Sequence, residues 1–142
     1  LNLSEDLRKT FNLIFKDYQL TQAWIFKYDS TSEGTKIHAD QASVNVNFWI
    51  TPDEANESQG SGGLIVWNKI PPSNWSFKDY NSIDAHYKIE QSLESDGIEK
   101  KIIPYKENRC VIFNSKLFHC TDNFKFNNSY PHRRVNITLL YD

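Results

Sequence analysis

The chain has 142 residues, of which 39% are hydrophobic and 24% charged, and its formal net charge is −2. This length suits one domain with one hydrophobic core, and the composition is typical of a folded protein. The near-neutral charge excludes a broad basic surface for nucleic acid, although it leaves a local one open. We expect a single domain over residues 1–142 that has neither a nucleic-acid nor a membrane partner.

Two further observations concern the compartment. No run approaches the ~20 apolar residues of a membrane span, and the sequence does not open with a charged-then-apolar leader. Cys110 and Cys120 are too few for a disulfide scaffold and are expected to be reduced thiols. The sequence therefore predicts a soluble protein of the cytoplasm.

An N-terminal helix is predicted within residues 1–20. Its N-cap would be Ser4, followed by acidic residues that suit the first turn of a helix. Apolar residues then recur at helical spacing, namely Leu7, Phe11, Ile14, Phe15 and Tyr18. We expect this stripe to lie on a sheet.

From residue 23 onward the apolar period changes to two. Short runs rich in β-branched and aromatic residues, separated by turn residues, predict strands at 23–28, 44–50, 64–67, 101–105, 110–113 and 135–141. Several short strands after one helix, without regular βα alternation, favour an antiparallel sandwich or barrel. The predicted fold class is therefore mainly β with a flanking helix.

Residues 68–100 are less regular than the rest of the chain. They contain a predicted helix at 85–93 that would end before Gly97. Three aromatic residues precede it, Trp75, Phe77 and Tyr80, which we interpret as a satellite core rather than a substrate cage. A segment of this length between two strands is either a lid over a site or a surface covering, and the sequence leaves both open.

Three residues could hold a metal ion. His38 and Asp40 stand at i and i+2, so at a strand end both side chains point to one face. Together with His119 they supply two imidazoles and one carboxylate, the facial triad of a non-haem Fe(II) site with positions open for a co-substrate and O₂. The alternative is that His38 is solvated and His119 is an ordinary core residue.

Arg134 adds a second chemical feature at the start of the last strand. Alternation places it on one face with Asn136 and Thr138. A cation on the polar face of an otherwise buried strand needs an anionic partner. A dicarboxylate that lies on the metal and is gripped by the guanidinium would supply that partner.

These residues also resemble a known family when they are taken in order. Tyr28, His38-x-Asp40, Gly62-Gly63-Leu64, Phe118-His119 and Arg134-x-Asn-Ile-Thr are similar to the motifs of the Fe(II)/2-oxoglutarate-dependent oxygenase superfamily, near its prolyl-hydroxylase-like branch. The resemblance extends from about residue 24 to residue 141. It implies a double-stranded β-helix, the jelly-roll or cupin-like fold, which agrees with the strands predicted above.

The resemblance also implies roles for individual residues. The metal ligands would be His38, Asp40 and His119. The residues implied at the co-substrate are Arg134, Tyr28, Asn47, Trp49 and Asn136, and those implied at the prime substrate are Asn45, Trp67 and Arg133. Arg134 is preferred to its neighbour Arg133 because it keeps the R-x-x-I-T register. The cofactors implied are Fe(II), 2-oxoglutarate as co-substrate, O₂ and ascorbate.

The implied reaction is hydroxylation with release of succinate and CO₂. Its substrate would be a peptidyl, prolyl-type side chain or a small amino-acid-like molecule. Asp40 favours oxygen transfer, because halogenating relatives lack this carboxylate. Two alternatives remain open: a jelly-roll domain that binds a metal or ligand without turnover, and a cupin-like enzyme that works without 2-oxoglutarate.

Overall fold

The computed structural model describes residues 2–29, 33–58 and 60–142, and its named strands lie in two antiparallel sheets. The strands are β1 (Leu20–Lys27), β2 (Val44–Trp49), β3 (Leu64–Trp67), β4 (Lys100–Ile103), β5 (Arg109–Asn114), β6 (His119–Thr121) and β7 (Val135–Tyr141). The large sheet has the order β1-β7-β2-β5, and the small sheet has the order β4-β3-β6. The chain crosses between the sheets repeatedly, and the fold is a jelly roll, as predicted.

The small sheet is extended by the backbone that precedes β2. The amide of Thr121 donates to the carbonyl of Thr35 at 3.1 Å, and His38 forms an antiparallel bridge with His119. The chain around residues 35–38 therefore runs alongside β6. This pairing places the first two predicted metal ligands in sequence next to the third.

The helices are short. They are α1 (Asn2–Thr10), α2 (Asn12–Phe15), α3 (Lys78–Asn81) and α4 (His86–Leu93), with 3₁₀ turns at Asp53–Ala55, Ile83–Ala85 and Tyr130–His132. The predicted helix at 85–93 is confirmed as α4. Within residues 2–29, 33–58 and 60–142, none of the helices has the length and apolar character needed to cross a membrane.

The N-terminal helices pack on the outer face of the large sheet. Leu7 and Phe15 are buried against Val46, Leu139 and Tyr141. Because side chains alternate along a strand, this arrangement turns the other face of β2 and β7 inward, toward the small sheet. The outer face of the large sheet is therefore covered by an apolar core, and polar residues of β2 and β7 can occupy its inner face.

The prediction of one capped helix is wrong in two respects. Ser4 lies inside α1 and accepts a hydrogen bond from the Tyr141 hydroxyl at 3.1 Å, so it is not the N-cap. The helix is also interrupted at Phe11, whose φ of −114° and ψ of 45° are not helical. The break rotates α2 so that Phe15 is fully buried, while Phe11 and Ile14 are left about 40% exposed.

All six predicted strands are present, with ends that shift by up to three residues. Strand β6 was not predicted, because three residues are too few to show alternation. Strand β7 begins at Val135, so Arg134 immediately precedes it. Hydrophobic alternation therefore identified the strands, but not the short one that carries His119.

Residues 68–100 pack beside the predicted ligands. Ile89 and Ala85 are buried against Ala39 and Phe118, the residues adjacent to His38, Asp40 and His119 in sequence. Trp75 and Tyr80 join this cluster, which confirms the satellite-core interpretation for them, whereas Phe77 is about half exposed. The segment thus supports the ligand-bearing backbone from one side. Its action as a lid stays a prediction.

Candidate functional site

The three predicted metal ligands converge on one point. His38, Asp40 and His119 each offer a ligand atom, and these atoms all lie within 4.8 Å of one another. The Nε2 atom of His38 is 3.7 Å from Asp40 Oδ1, and that of His119 is 3.5 Å from Asp40 Oδ2. Residues 79 positions apart in sequence are therefore brought together by the fold.

Hydrogen bonds of the backbone fix these positions. The amide of Asp40 donates to the Ser115 carbonyl at 3.1 Å, next to the bridge between His38 and His119. Ala39, between the two ligands, donates to the Tyr80 carbonyl at 3.1 Å. The His38–Asp40 tripeptide is thus tied on both sides, which limits how far its side chains can move apart.

The two imidazoles are oriented in the same way. His38 Nδ1 lies 2.7 Å from the Lys36 carbonyl, and His119 Nδ1 lies 2.8 Å from the Leu117 carbonyl. Because a carbonyl oxygen only accepts, each Nδ1 must carry the proton. In the neutral imidazoles the lone pair is then on Nε2, the atom that faces Asp40, as in a metal-ligating histidine held by a backbone carbonyl.

The protonation states suit a cation. Burial and the nearby His119 lower the pKa of His38 to about 4. Burial acts to raise the pKa of Asp40, but its contacts with His119 and His38 and the hydrogen bond from Asn45 outweigh this effect, and the pKa lies below its usual range. Near neutral pH a lone pair of His38 therefore faces a carboxylate. Such a donor set fits a divalent first-row metal, including Fe(II).

Arg134 is the second functional candidate of the site, and only 2% of its surface is exposed. Its Nη1 donates to Asn136 Oδ1 at 2.9 Å, and its guanidinium lies 5.2 Å from the ring centre of Tyr28 and 5.3 Å from that of Phe124. Burial lowers the pKa of Arg134. No carboxylate in the described part of the chain forms an ion pair with it. A buried guanidinium of this kind lacks the anion that would compensate it.

Two glycines shape the pocket around the guanidinium. Arg134 Nε donates to the Gly62 carbonyl at 2.9 Å, and Gly62 has a φ of +86°, which favours glycine. A Cβ on Gly63 would lie 1.9 Å from the Ile103 carbonyl oxygen, so a side chain does not fit there. The Gly62-Gly63 pair is therefore required by the local geometry.

A cavity of about 70 Å³ lies between the metal-ligand candidates and Arg134. It is lined by the three metal-ligand candidates at one end and by Arg134 at the other. This volume is more than one water molecule needs, so the cavity admits a small polar molecule. A molecule in this cavity would contact both the three metal-ligand candidates and Arg134.

Most of the other predicted site residues line this cavity. They are Tyr28, Asn45, Asn47, Trp49 and Asn136. Trp67 and Arg133 do not line it. Trp67 packs with the cluster around Phe118, and Arg133 Nη1 lies 2.6 Å from Asp29 Oδ1. The structure therefore brings together the residues predicted at the co-substrate and separates two of the three predicted at the prime substrate.

Several lining residues were not predicted. Trp24 and Phe26 line the cavity, and with Tyr28, one residue beyond the end of β1, they occupy every second position, a signal that could have identified them. Tyr105 and Phe124, which do not line the cavity but lie near the Arg134 guanidinium, come from other parts of the sequence. Their position depends on the folding of the chain and has no signal in the sequence.

Comparisons with known proteins found structural neighbours only. No protein-family model and no curated protein matches the chain. It is similar to a solved structure of an N-substituted L-amino acid dioxygenase from Burkholderia ambifaria AMMD in complex with alpha-KG, at 13% identity, 96% coverage of this chain, 60% of that chain and a TM-score of 0.48. It is also similar to a second structure of such a dioxygenase from the same organism, at 15% identity, 98% coverage of this chain, 62% of that chain and a TM-score of 0.46.

The chain spans about three-fifths of the length of these two structures. At this level of similarity the comparison assigns no activity to the chain.

Proposed function

We propose that the chain is an Fe(II)- and 2-oxoglutarate-dependent dioxygenase that hydroxylates its substrate. Two features of the site support this. The ligand atoms of His38, Asp40 and His119 lie within 4.8 Å of one another, two imidazoles and one carboxylate that suit Fe(II), and the same small cavity is lined by Arg134. The order of these residues in sequence is also that of the oxygenase motifs.

The observation that carries the proposal is the environment of Arg134. It is a buried cation that pairs with none of the described carboxylates, and it lies across a small cavity from a cluster of metal ligands. A metal without a co-substrate would have no need of this cation. A molecule with a metal-chelating end and a carboxylate at the other end satisfies both.

The protein residues have separable tasks in this account. His38, Asp40 and His119 hold the metal. Arg134 binds the distal carboxylate of 2-oxoglutarate, and the rings of Tyr28 and Phe124 shield that charge pair from water. When bound, Fe(II) and 2-oxoglutarate supply the oxidation of a substrate C–H bond by O₂, with succinate and CO₂ as co-products.

The prime substrate would lie at the rim of the cavity, because the cavity itself is filled by the co-substrate. Phe26 is 39% exposed and marks part of this rim. We propose a peptidyl, prolyl-type side chain or a small amino-acid-like molecule as substrate. This class rests on the motif resemblance.

Succinate formation tests the proposal. The protein is incubated in air with 2-oxoglutarate, Fe(II) and ascorbate, with and without a panel of peptides and amino acids. We expect succinate release that requires iron and is abolished in His119→Ala. Release that persists in that variant would contradict the assigned metal site.

A non-catalytic domain gives a different result. It would release no succinate and would also fail to bind 2-oxoglutarate in the presence of metal. That pair of negative results would overturn the proposed function in favour of a binding module.

A further inference from the structure

Three asparagines connect the two ends of the cavity, and we call Asn136, Asn47 and Asn45 the amide ladder. Arg134 Nη1 donates to Asn136 Oδ1 at 2.9 Å, and Asn136 Nδ2 lies 3.4 Å from Asn47 Oδ1. Asn47 Nδ2 donates to Asn45 Oδ1 at 2.6 Å, and Asn45 Nδ2 donates to Asp40 Oδ2 at 3.0 Å. A continuous hydrogen-bond chain thus runs from the buried cation to a metal ligand.

The direction of this chain is fixed by its two ends. A guanidinium only donates, and an ionised carboxylate only accepts. If the amide of Asn47 were flipped, its oxygen would face the oxygen of Asn45. Every amide dipole is therefore aligned in the same sense, and aligned hydrogen bonds of this kind strengthen one another.

The amide ladder forms a hydrogen bond with only one of the two carboxylate oxygens of Asp40. Oδ2 accepts the hydrogen bond of Asn45, whereas Oδ1 accepts none from the residues described in 2–29, 33–58 and 60–142. An amide donor on one oxygen also restricts rotation of the carboxylate. This fixes the carboxylate with Oδ1 3.7 Å from His38 Nε2 and Oδ2 3.5 Å from His119 Nε2.

The burial of these three amides argues against an incidental role for them. Asn45, Asn47 and Asn136 are 1%, 8% and 5% exposed. A buried amide costs free energy unless its hydrogen bonds are made, and apolar residues would fill this wall at lower cost. Each side-chain nitrogen and oxygen of the three residues nevertheless has at least one hydrogen-bond partner, as expected if their order serves the residue at the end of the chain.

We propose that the amide ladder is a positioning device for Asp40. Asn45 holds Oδ2 and thereby fixes the orientation of the carboxylate toward His38 and His119, and Asn47 and Asn136 keep Asn45 in its donating orientation through the charge of Arg134. This role differs from the substrate contact that the motif resemblance implies for Asn45. The inference rests on the proposed function, because it takes the triad to be a metal site.

Cobalt(II) is the probe for the test, because its visible absorption spectrum reports the ligand geometry without turnover. The metal-free protein is titrated with Co(II) for the wild type, Asn45→Ala, Asn47→Ala and Ser115→Ala. Ser115 is the matched control, since its buried hydroxyl has no hydrogen-bond partner among the described residues while its carbonyl accepts from Asp40. Circular dichroism establishes that each variant is folded.

We expect Asn45→Ala to bind Co(II) about 10- to 100-fold more weakly, with an altered spectrum, as for other residues that orient a metal ligand. Asn47→Ala removes no atom in contact with Asp40. It should shift the affinity in the same direction by a smaller factor, of roughly 3 to 10, as expected for one lost hydrogen bond. Ser115→Ala should retain the wild-type spectrum and affinity.

Two results would overturn the inference, and they are distinguishable. If the wild type binds Co(II) and both asparagine variants bind it with unchanged affinity and spectrum, the ladder does not position Asp40, while the metal site stands. If Asn45→Ala does not fold, an unchanged Asn47→Ala leads to the same conclusion. If the wild type itself does not bind Co(II), the proposed metal site fails and the ladder's role fails with it.

Discussion

His38 and His119 are hydrogen-bonded to each other through their backbones in both directions. The amide of His38 donates to the carbonyl of His119 at 3.0 Å, and the amide of His119 donates back at 2.9 Å. Their ring centres are 4.4 Å apart as a result. Strand pairing therefore sets the closeness of the two imidazoles that we propose as metal ligands.

Replacement of Asp40, whose carboxylate lies beside these two histidines, tests the proposed metal site. Asp40→Ala should weaken metal binding by roughly 100-fold or more, since loss of a ligand exceeds the effect of losing its supporting contacts. Asp96→Ala, which removes an exposed carboxylate, is the control and should bind normally. The measurement is the metal content after anaerobic loading with Fe(II) and desalting. Equal iron in both variants would disprove the role of Asp40.

Acid should destabilise the metal-free protein between about pH 6.5 and pH 4. The folded-state pKa of His38 is lowered to about 4 by burial and by His119, below its usual 6.5. The unfolded chain therefore binds more protons in this window, and the stability present above pH 6.5 is lost as the pH falls toward 4. We expect a loss of about 2 kcal/mol between pH 7 and pH 5.

Urea denaturation in the presence of a chelator measures this loss. In His38→Gln the difference between the two pH values should shrink by most of that amount, because the titrating group is gone. A variant that loses stability as steeply as the wild type would show that another group is responsible.

The two cysteines should differ in reactivity. Cys120 is buried in β6, and burial together with the nearby Asp122 raises its pKa to about 12, whereas Cys110 is exposed. Because the thiolate is the nucleophile, iodoacetamide at pH 8 should modify Cys120 at least about tenfold more slowly than Cys110. Mass spectrometry of the alkylated peptides gives both rates. Equal rates in the native protein, as expected in denaturant, would contradict the position of β6.

The N-terminal helices should contribute to stability through one side of α2. Phe15 is fully buried against the large sheet, and Leu13, two residues before it, is 91% exposed. Phe15→Ala should lower the free energy of unfolding by about 3–5 kcal/mol, and Leu13→Ala by less than about 0.5 kcal/mol. Chemical denaturation compares them. Similar losses in the two variants would show that this helix does not pack as described.

Much of the fold could be predicted because the strands carry regular alternation. The run from Val135 to Tyr141 has a clear period of two at its start, and its predicted bounds are those observed. Strand β6 and the break at Phe11 could not be predicted. The former is too short for a period, and the latter depends on the fit of Phe15 against the sheet, which is a tertiary effect.

The candidate site, like the fold, could be predicted from the sequence only in part. Each metal-ligand candidate was identifiable by residue type and spacing, since few side chains suit a metal. The connection from Asn136 to Asn47 was not, because it depends on the register of β2 against β7, which places Asn47 opposite Thr138. Sequence patterns indicate which residues share a face, whereas register decides which of them are hydrogen-bonded.

Binding of 2-oxoglutarate to the metal-loaded protein is the most direct test of the account. Isothermal titration is carried out with Mn(II)-loaded wild type, Arg134→Ala and Arg133→Ala. Arg133 is the matched control, because it pairs with Asp29 outside the cavity. We predict one binding event that requires the metal, weakens about 30-fold or more in Arg134→Ala and is unchanged in Arg133→Ala. Absence of binding in the wild type, or equal affinity in Arg134→Ala, would contradict the central claim.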